Sequence, residues 1–253
     1  RKKLGGADEP QSPESGARPE RAESGRGTKS GRAAAGASMR KYEYVLFDLD
    51  GTLTYSHPGI YAGLRYALAS LGRPEPDERR LRLCVGPPLT YSFSEIFGLE
   101  EAQTAEAVRK YREYYAEKGL FENEPVPGAK EALEELRRRG YRLALATSKP
   151  EIFARRISDA FGFTPFFDAL TGSGTDGSLP SKADVIREAL RRLNAENSLS
   201  LMIGDRKHDA EGARLCKVDF AGFTAGYAEE GELEAEHPVF LFGTFAGLAD
   251  RLD

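Results

Sequence analysis

Apolar positions recur with two different periods along this chain, and the two alternate. Short, nearly continuous apolar runs stand at "YEYVLFD" (42–48), "YRLALATS" (141–148), "FDALTGS" (167–173) and "SLMIGD" (200–205). Runs of this length and density predict strands buried on both faces. Weaker runs at "VDFAGFTAG" and "PVFLFG" predict two more. Between them the apolar residues fall three and four apart. "PGAKEALEELRRRG", "EIFARRISDAFG", "KADVIREALRRL" and "DAEGARLC" read as helices, the first opened by Pro127 and Gly128 and ended at Gly140, the third capped by Ser181. Strand–helix alternation of this kind predicts a doubly wound parallel sheet, an α/β Rossmann-like core.

One long stretch breaks the alternation. From about Ser56 to about Val126 there is no convincing strand. "PGIYAGLRYALASLG" carries Ile60, Leu64, Ala67, Leu68 and Leu71 at helical spacing and stops at Gly72. "LTYSFSEIFG" and "EEAQTAEAVRKYREYYAEKG" predict further helices, the latter with Ala105, Val108, Tyr111 and Tyr115 along one side. An all-helical cap inserted over residues 56–126 follows, with the core built from 39–55 and 127–253. Residues 1–38 hold no aromatic and almost no large aliphatic residue, so they cannot offset their ordering entropy and are expected to be disordered.

Composition narrows the function classes. A net charge of −4 on 253 residues points to no nucleic acid polymer and no acidic membrane surface. No apolar run reaches the roughly 20 residues that a spanning helix needs. Two cysteines, Cys84 and Cys216, form no framework, which suggests a reduced, cytoplasmic protein. Oligomeric state is not legible.

The candidate chemistry collects where the predicted strands end, the edge at which ligands bind in an open parallel sheet. The first strand delivers Asp48 and Asp50, the second Thr147, Ser148 and Lys149, and "SLMIGD" delivers Asp205 with Asp209 four residues on; Lys182 opens the helix after the short third strand. Each has an ordinary reading too. Asp48 and Asp50 could cap a turn, Asp209 could answer a helix dipole, Lys182 and Lys149 could be solvated, and Thr147 could simply end a strand. Together they suit phosphoryl transfer. Oxygen ligands from Asp48, Asp205 and a main-chain carbonyl suit a hard cation such as Mg²⁺. One aspartate of the pair could attack phosphorus while the other handles the proton, with Lys182 and Thr147 on the non-bridging oxygens. Gly51 permits a tight turn after the carboxylates.

"DLDGTLT", "LALATSKP", Lys182 and "GDRKHD" also stand in the order of the four motifs of the haloacid dehalogenase-like hydrolase superfamily, and the chain resembles that superfamily from Tyr42 onward. The helical insertion after the first motif resembles its type 1 cap. The resemblance implies Asp48 as nucleophile and Asp50 as acid/base. It implies Thr147 and Lys182 as phosphate ligands, with Ser148 and Lys149 as further candidate substrate contacts. Mg²⁺ would be held by Asp48, the Asp50 carbonyl and Asp205, with Asp209 supporting the metal shell or orienting Lys182. "HPGIYAGLRYALASLG", "VGPPLTYSF" and "TGSGTDGSLPSKADVI" resemble the phosphoglycolate phosphatase and 5′-nucleotidase branch, and "TSKP" with "GDRKHD" incline to its 5′-nucleotidase-like members. The implied activity is a Mg²⁺-dependent phosphomonoesterase on a small phosphorylated metabolite, first a nucleoside 5′-monophosphate. Phosphoglycolate hydrolysis, a sugar-phosphate mutase and a catalytically silent binding protein are the alternatives. The Gly86-Pro87-Pro88 interruption is expected to form either a specificity loop or a plain helix break.

Overall fold

A computed structural model describes residues 40–253; the N-terminal segment expected to be disordered lies outside the described residues. Six parallel strands form the central sheet: β1 (Tyr44–Phe47), β4 (Arg142–Pro150), β5 (Ala169–Ser173), β6 (Ser200–Gly204), β7 (Asp219–Phe223) and β8 (Phe240–Phe242). Their spatial order is β5-β4-β1-β6-β7-β8. The chain therefore winds outward from β1 in one direction, then returns and winds outward in the other. The carboxyl end of β1, flanked by β4 and β6, is the switch point at which such sheets open a crevice.

Side-chain alternation builds the two layers. Val45 and Phe47 face one side with Leu143, Leu145, Leu201 and Ile203; Leu46 faces the other with Ala144, Ala146 and Met202. The first face is covered by α5 (Ala129–Arg138) through Leu133 and Leu136 and by α6 (Glu151–Ala160) through Ala154 and Ile157. The second is covered by α7 (Lys182–Leu193) and α8 (Lys207–Leu215), whose small residues Ala183, Ala210 and Ala213 let them sit close. Both faces being covered explains why the strands read as continuous apolar runs.

The insertion is helical, as expected, and its edges refine the expectation. Its helices are α1 (His57–Ser70), α2 (Glu78–Leu83), the short α3 (Leu89–Tyr91), which runs on as a π-helical turn, and α4 (Glu101–Tyr114). The six-residue α2 was not foreseen. Nor was a two-stranded antiparallel ribbon at the base of the insertion, in which β2 (Thr54–Tyr55) pairs with β3 (Glu124–Pro125). Two residues are too few to show a period. The face of α4 also differs from the expected one. Ala105 is exposed, and the buried row is Thr104, Ala107, Val108 and Tyr111. Beyond α4 the backbone widens into a π-helical turn, Tyr115–Gly119, which keeps Tyr115 buried. There Gly119 meets Gly59 of α1 so closely that a Cβ on Gly59 would overlap the Gly119 carbonyl. Among the described residues, no helix is long and apolar enough to cross a membrane.

Ser181 does cap α7. Its hydroxyl accepts from the Asp184 N–H at 3.2 Å and the Asp184 carboxylate returns the bond to the Ser181 N–H, a capping box that fixes the start of the helix and thus Lys182. Ser181→Ala should lower the unfolding free energy by about 1 kcal/mol. Urea denaturation should show this as a lower midpoint at unchanged slope.

Candidate active site

Strand ends and one irregularity place the polar residues. Asp48 follows β1 directly, and its N–H donates to the Ile203 carbonyl, which ties it to β6. Gly51, at φ +89°, then turns the chain; a side chain there would collide with the Asp205 carboxylate and the Tyr227 ring. Asp205 follows β6. On the other flank, the register of β4 against β5 slips between Thr147 and Pro150. Ser148 and Lys149 sit in that bulge, and bulges re-aim side chains.

The resulting cluster is buried. Asp48, Asp205 and Asp209 each offer a carboxylate oxygen, all within 4.8 Å of one another. Lys182, also buried, lies 2.6 Å from Asp48 Oδ1 and 2.7 Å from Asp209 Oδ1. Both oxygens of Asp205 and the second oxygen of Asp209 are tied down. Asp205 Oδ1 accepts from the Thr52 hydroxyl at 3.0 Å and Oδ2 from the Tyr227 N–H at 2.8 Å. Asp209 Oδ2 accepts from the Arg206 N–H at 3.1 Å, so this residue serves the start of α8 as well as the cluster.

Asp50 and Lys149 form a second pair beside the first. Lys149 Nζ is 2.8 Å from Asp50 Oδ2 and donates to the Tyr115 hydroxyl, also at 2.8 Å. Lys149 is therefore not solvated; it is buried and joins the core carboxylate to a tyrosine of the cap. The other Asp50 oxygen, Oδ1, is buried with no hydrogen-bond partner among the described residues. Thr147 is buried too, its Oγ1 accepting from the Lys149 N–H at 3.2 Å.

The charges do not balance. Three buried carboxylates, those of Asp48, Asp205 and Asp209, face one ammonium group, Lys182. Two negative charges are left over, and isolated buried charge is costly. Burial pushes Asp48 up to about 6; Lys182 opposes this and Asp209 adds to it. Burial, with repulsion from Asp209 and Asp48, drives Asp205 well above the carboxylate range. Burial alone would lower Lys182, but Asp209 and Asp48 outweigh it and hold the ammonium above its usual value. The cluster's all-oxygen donors and excess of two charges fit a hard divalent cation.

A partly open pocket of about 180 Å³ lies between the cap and the core, beside Lys149. Ser148 and Lys149 reach it from the core, and Tyr111, Arg112 and Tyr115 from the cap. Gly86 to Thr90 form part of its wall, so the Gly-Pro-Pro interruption faces this space. Cys84 lines it too, but burial pushes its thiol up to about 12, which leaves it a packing residue. His57 and His208 do not line it. The His57 Nδ1 lies 3.0 Å from the Tyr227 hydroxyl, and His208 packs edge-on against Tyr91.

The model of the haloacid dehalogenase-like hydrolases matches residues 45–223. The chain belongs to the haloacid dehalogenase-like hydrolase family. Among curated relatives of this hydrolase is a 5′-nucleotidase from Pseudomonas aeruginosa, 42% identical over 213 residues, covering 84% of this chain and 96% of that protein. Another is the tyrosine-protein kinase PtkA of Mycobacterium tuberculosis, 40% identical over 73% of this chain; the match spans 63% of that longer protein. Among solved structures, a predicted phosphatase from Clostridium acetobutylicum superposes with a TM-score of 0.80 at 38% identity, covering 83% of this chain and 97% of that one.

Several residues of this haloacid dehalogenase-like site carried no usable signal in the sequence. Thr52, inside "DLDGTLT", and Tyr227 fix Asp205 from loops. Arg206 is buried between Asp205 and α8; it pairs with Glu232 at 2.8 Å and donates to the Val85 carbonyl of the cap at 2.7 Å. Its place inside "GDRKHD" was visible, but not its reach.

The raised Asp48 pKa has a consequence for metal-free protein. Its folded value, about 6, lies above the ordinary 3.8. The stability linked to its protonated form is thus complete below about 3.8 and lost as pH rises through about 6. Melting curves in chelator should show the advantage of Asp48→Asn over the wild type growing from pH 4 to 6 and levelling above. A divalent cation should reduce that advantage.

Proposed function

We propose that this hydrolase is a Mg²⁺-dependent phosphomonoesterase working through an aspartyl-phosphate, and that its substrate is a nucleoside 5′-monophosphate. The observation that carries the chemistry is the buried cluster of three carboxylates around Lys182, short of two positive charges, at the switch point of the sheet. The 5′-nucleotidase relative at 42% identity supports the substrate class, with phosphoglycolate as the alternative.

Asp48, Asp205 and the Asp50 carbonyl would hold Mg²⁺, with Asp209 behind them. When bound, the ion would supply the missing positive charge and lower repulsion between carboxylate and phosphate. In the first step an Asp48 oxygen attacks phosphorus. The bond from phosphorus to the leaving oxygen breaks, and that oxygen takes its proton from Asp50. In the second step Asp50 removes a proton from water. The water oxygen attacks phosphorus, and the bond to Asp48 breaks to release phosphate. Lys149 holds one Asp50 oxygen and leaves the other for this proton traffic. Lys182 and Thr147, with Ser148 beside them, hold the non-bridging oxygens, where charge builds up. The cap keeps bulk water from the intermediate.

Phosphate release from an aryl phosphate, with and without Mg²⁺, tests the reading. Asp48→Asn should lower kcat by about four orders of magnitude or more while the protein still folds. Asp205→Ala should lower activity and raise the Mg²⁺ concentration needed for half-maximal rate. Full turnover in chelator, or substantial turnover by verified Asp48→Asn protein, would overturn it.

A further inference from the structure

The mechanism above leaves one charged group of the cavity unused. Arg112 projects from α4 into the space between cap and core. Its Nη1 donates to the Thr175 carbonyl, at 3.2 Å, in the loop after β5. Its Nε is buried and has no hydrogen-bond partner among the described residues. A desolvated donor without an acceptor is unfavourable. No aspartate or glutamate among the described residues lines the cavity to satisfy it. The other cation on the wall, Lys149, is already matched by Asp50.

A guanidinium has donors only, set in a planar fork, and the edge containing Nε presents two parallel N–H groups. With Nη1 committed to the Thr175 carbonyl, that edge is the one left to a ligand. It calls for two acceptors side by side in one plane. Apolar side chains of Ile60, Leu89, Val108, Phe153 and Leu179 form part of the surrounding wall. A two-carbon leaving group with a carboxylate would meet the fork but leave most of those apolar faces bare. A purine base covers them with its ring faces. Of the purine edges, O6 with N7 of a 6-oxopurine gives two acceptors; N6 with N7 of adenine gives a donor and an acceptor.

We propose that Arg112 is a specificity residue that reads the O6/N7 edge of the leaving nucleoside, so that 6-oxopurine nucleoside 5′-monophosphates are the substrates this cavity selects. This rests on the nucleotidase reading above and narrows it. Facing adenine, the fork sets an N–H against an N–H and leaves one donor unpaired, a mismatch that a hydrogen-bonding site discriminates strongly.

IMP and AMP differ at this edge and share ribose and phosphate, so they form the matched pair for the test. With Mg²⁺ present, wild-type kcat/KM for IMP should exceed that for AMP by about tenfold or more. Arg112→Lys keeps the charge but loses the fork, and should bring the ratio close to one. If Arg112 served only to hold the loop at Thr175, the variant would slow both substrates alike and keep the ratio. As a second measurement that needs no variant, inosine should inhibit wild-type aryl phosphate hydrolysis at lower concentration than adenosine. Equal kcat/KM for IMP and AMP, an unchanged ratio in Arg112→Lys, or equal inhibition by the two nucleosides would each overturn the assignment while leaving the nucleotidase reading intact. Aryl phosphate hydrolysis with no turnover of any nucleoside monophosphate would instead overturn the nucleotidase reading, and the assignment with it. Phosphoglycolate turnover that falls in Arg112→Lys, with IMP and AMP unaffected, would move the fork's partner to a carboxylate and also overturn it.

Discussion

Too much negative charge in too little water is the constraint around which this molecule is arranged. Asp48, Asp205 and Asp209 are buried within a few ångströms of one another, and Lys182 alone bridges two of them. Every element near the cluster answers to it. The end of β1 supplies Asp48, and the turn at Gly51 leaves room for Asp205. The Tyr227 N–H and the Thr52 hydroxyl hold the Asp205 oxygens, and the capping box at Ser181 sets where Lys182 begins its helix. Such a site is unfavourable in isolation. It persists because the parallel sheet beneath it, covered on both faces, supplies the apolar burial that offsets it.

The cap does more than cover this cluster. Its hydrogen bonds reach the residues that flank the core carboxylates. The Tyr115 hydroxyl accepts from Lys149, which pairs with Asp50, and the Val85 carbonyl accepts from Arg206, the neighbour of Asp205. The cap is thus bonded to the Asp50 side of the site and to the Asp205 side. A change in cap position must break or re-form bonds at both. The bulge in β4 matters here, because it carries Lys149 into reach of the cap.

Much of this was legible in the sequence, and the rest was not, for identifiable reasons. The six strands and the core helices could be read because burial on one or two faces writes a period into the chain. Asp48, Asp205 and Lys182 could be placed because each stands at the end or start of such a period, and the structure brings them together. The partnership of Lys149 with Asp50 and Tyr115 depends on a bulge and on packing between segments far apart in sequence, neither of which leaves a periodic trace. The face of α4 was misread by one position at Ala105, where a small apolar residue three before Val108 fits the helical period but looks outward. Strands β2 and β3 were invisible because two residues carry no alternation.

That small ribbon has an effect on how the chain can find its fold. Strands β1 and β4 lie side by side in register, Tyr44 against Arg142, yet the whole cap separates them in sequence. Closing so long a loop before any native contact repays it is slow. Pairing Thr54 with Pro125 gathers the ends of the insertion at one point. Once it forms, β1 and β4 are joined by a short path, and the central pairing of the sheet becomes nearly local. The same closure makes the core indifferent to the length of what lies beyond the ribbon, since loop-closure entropy grows only slowly with added residues. A cap can therefore be lengthened, shortened or exchanged while the carboxylate cluster stays where the sheet holds it.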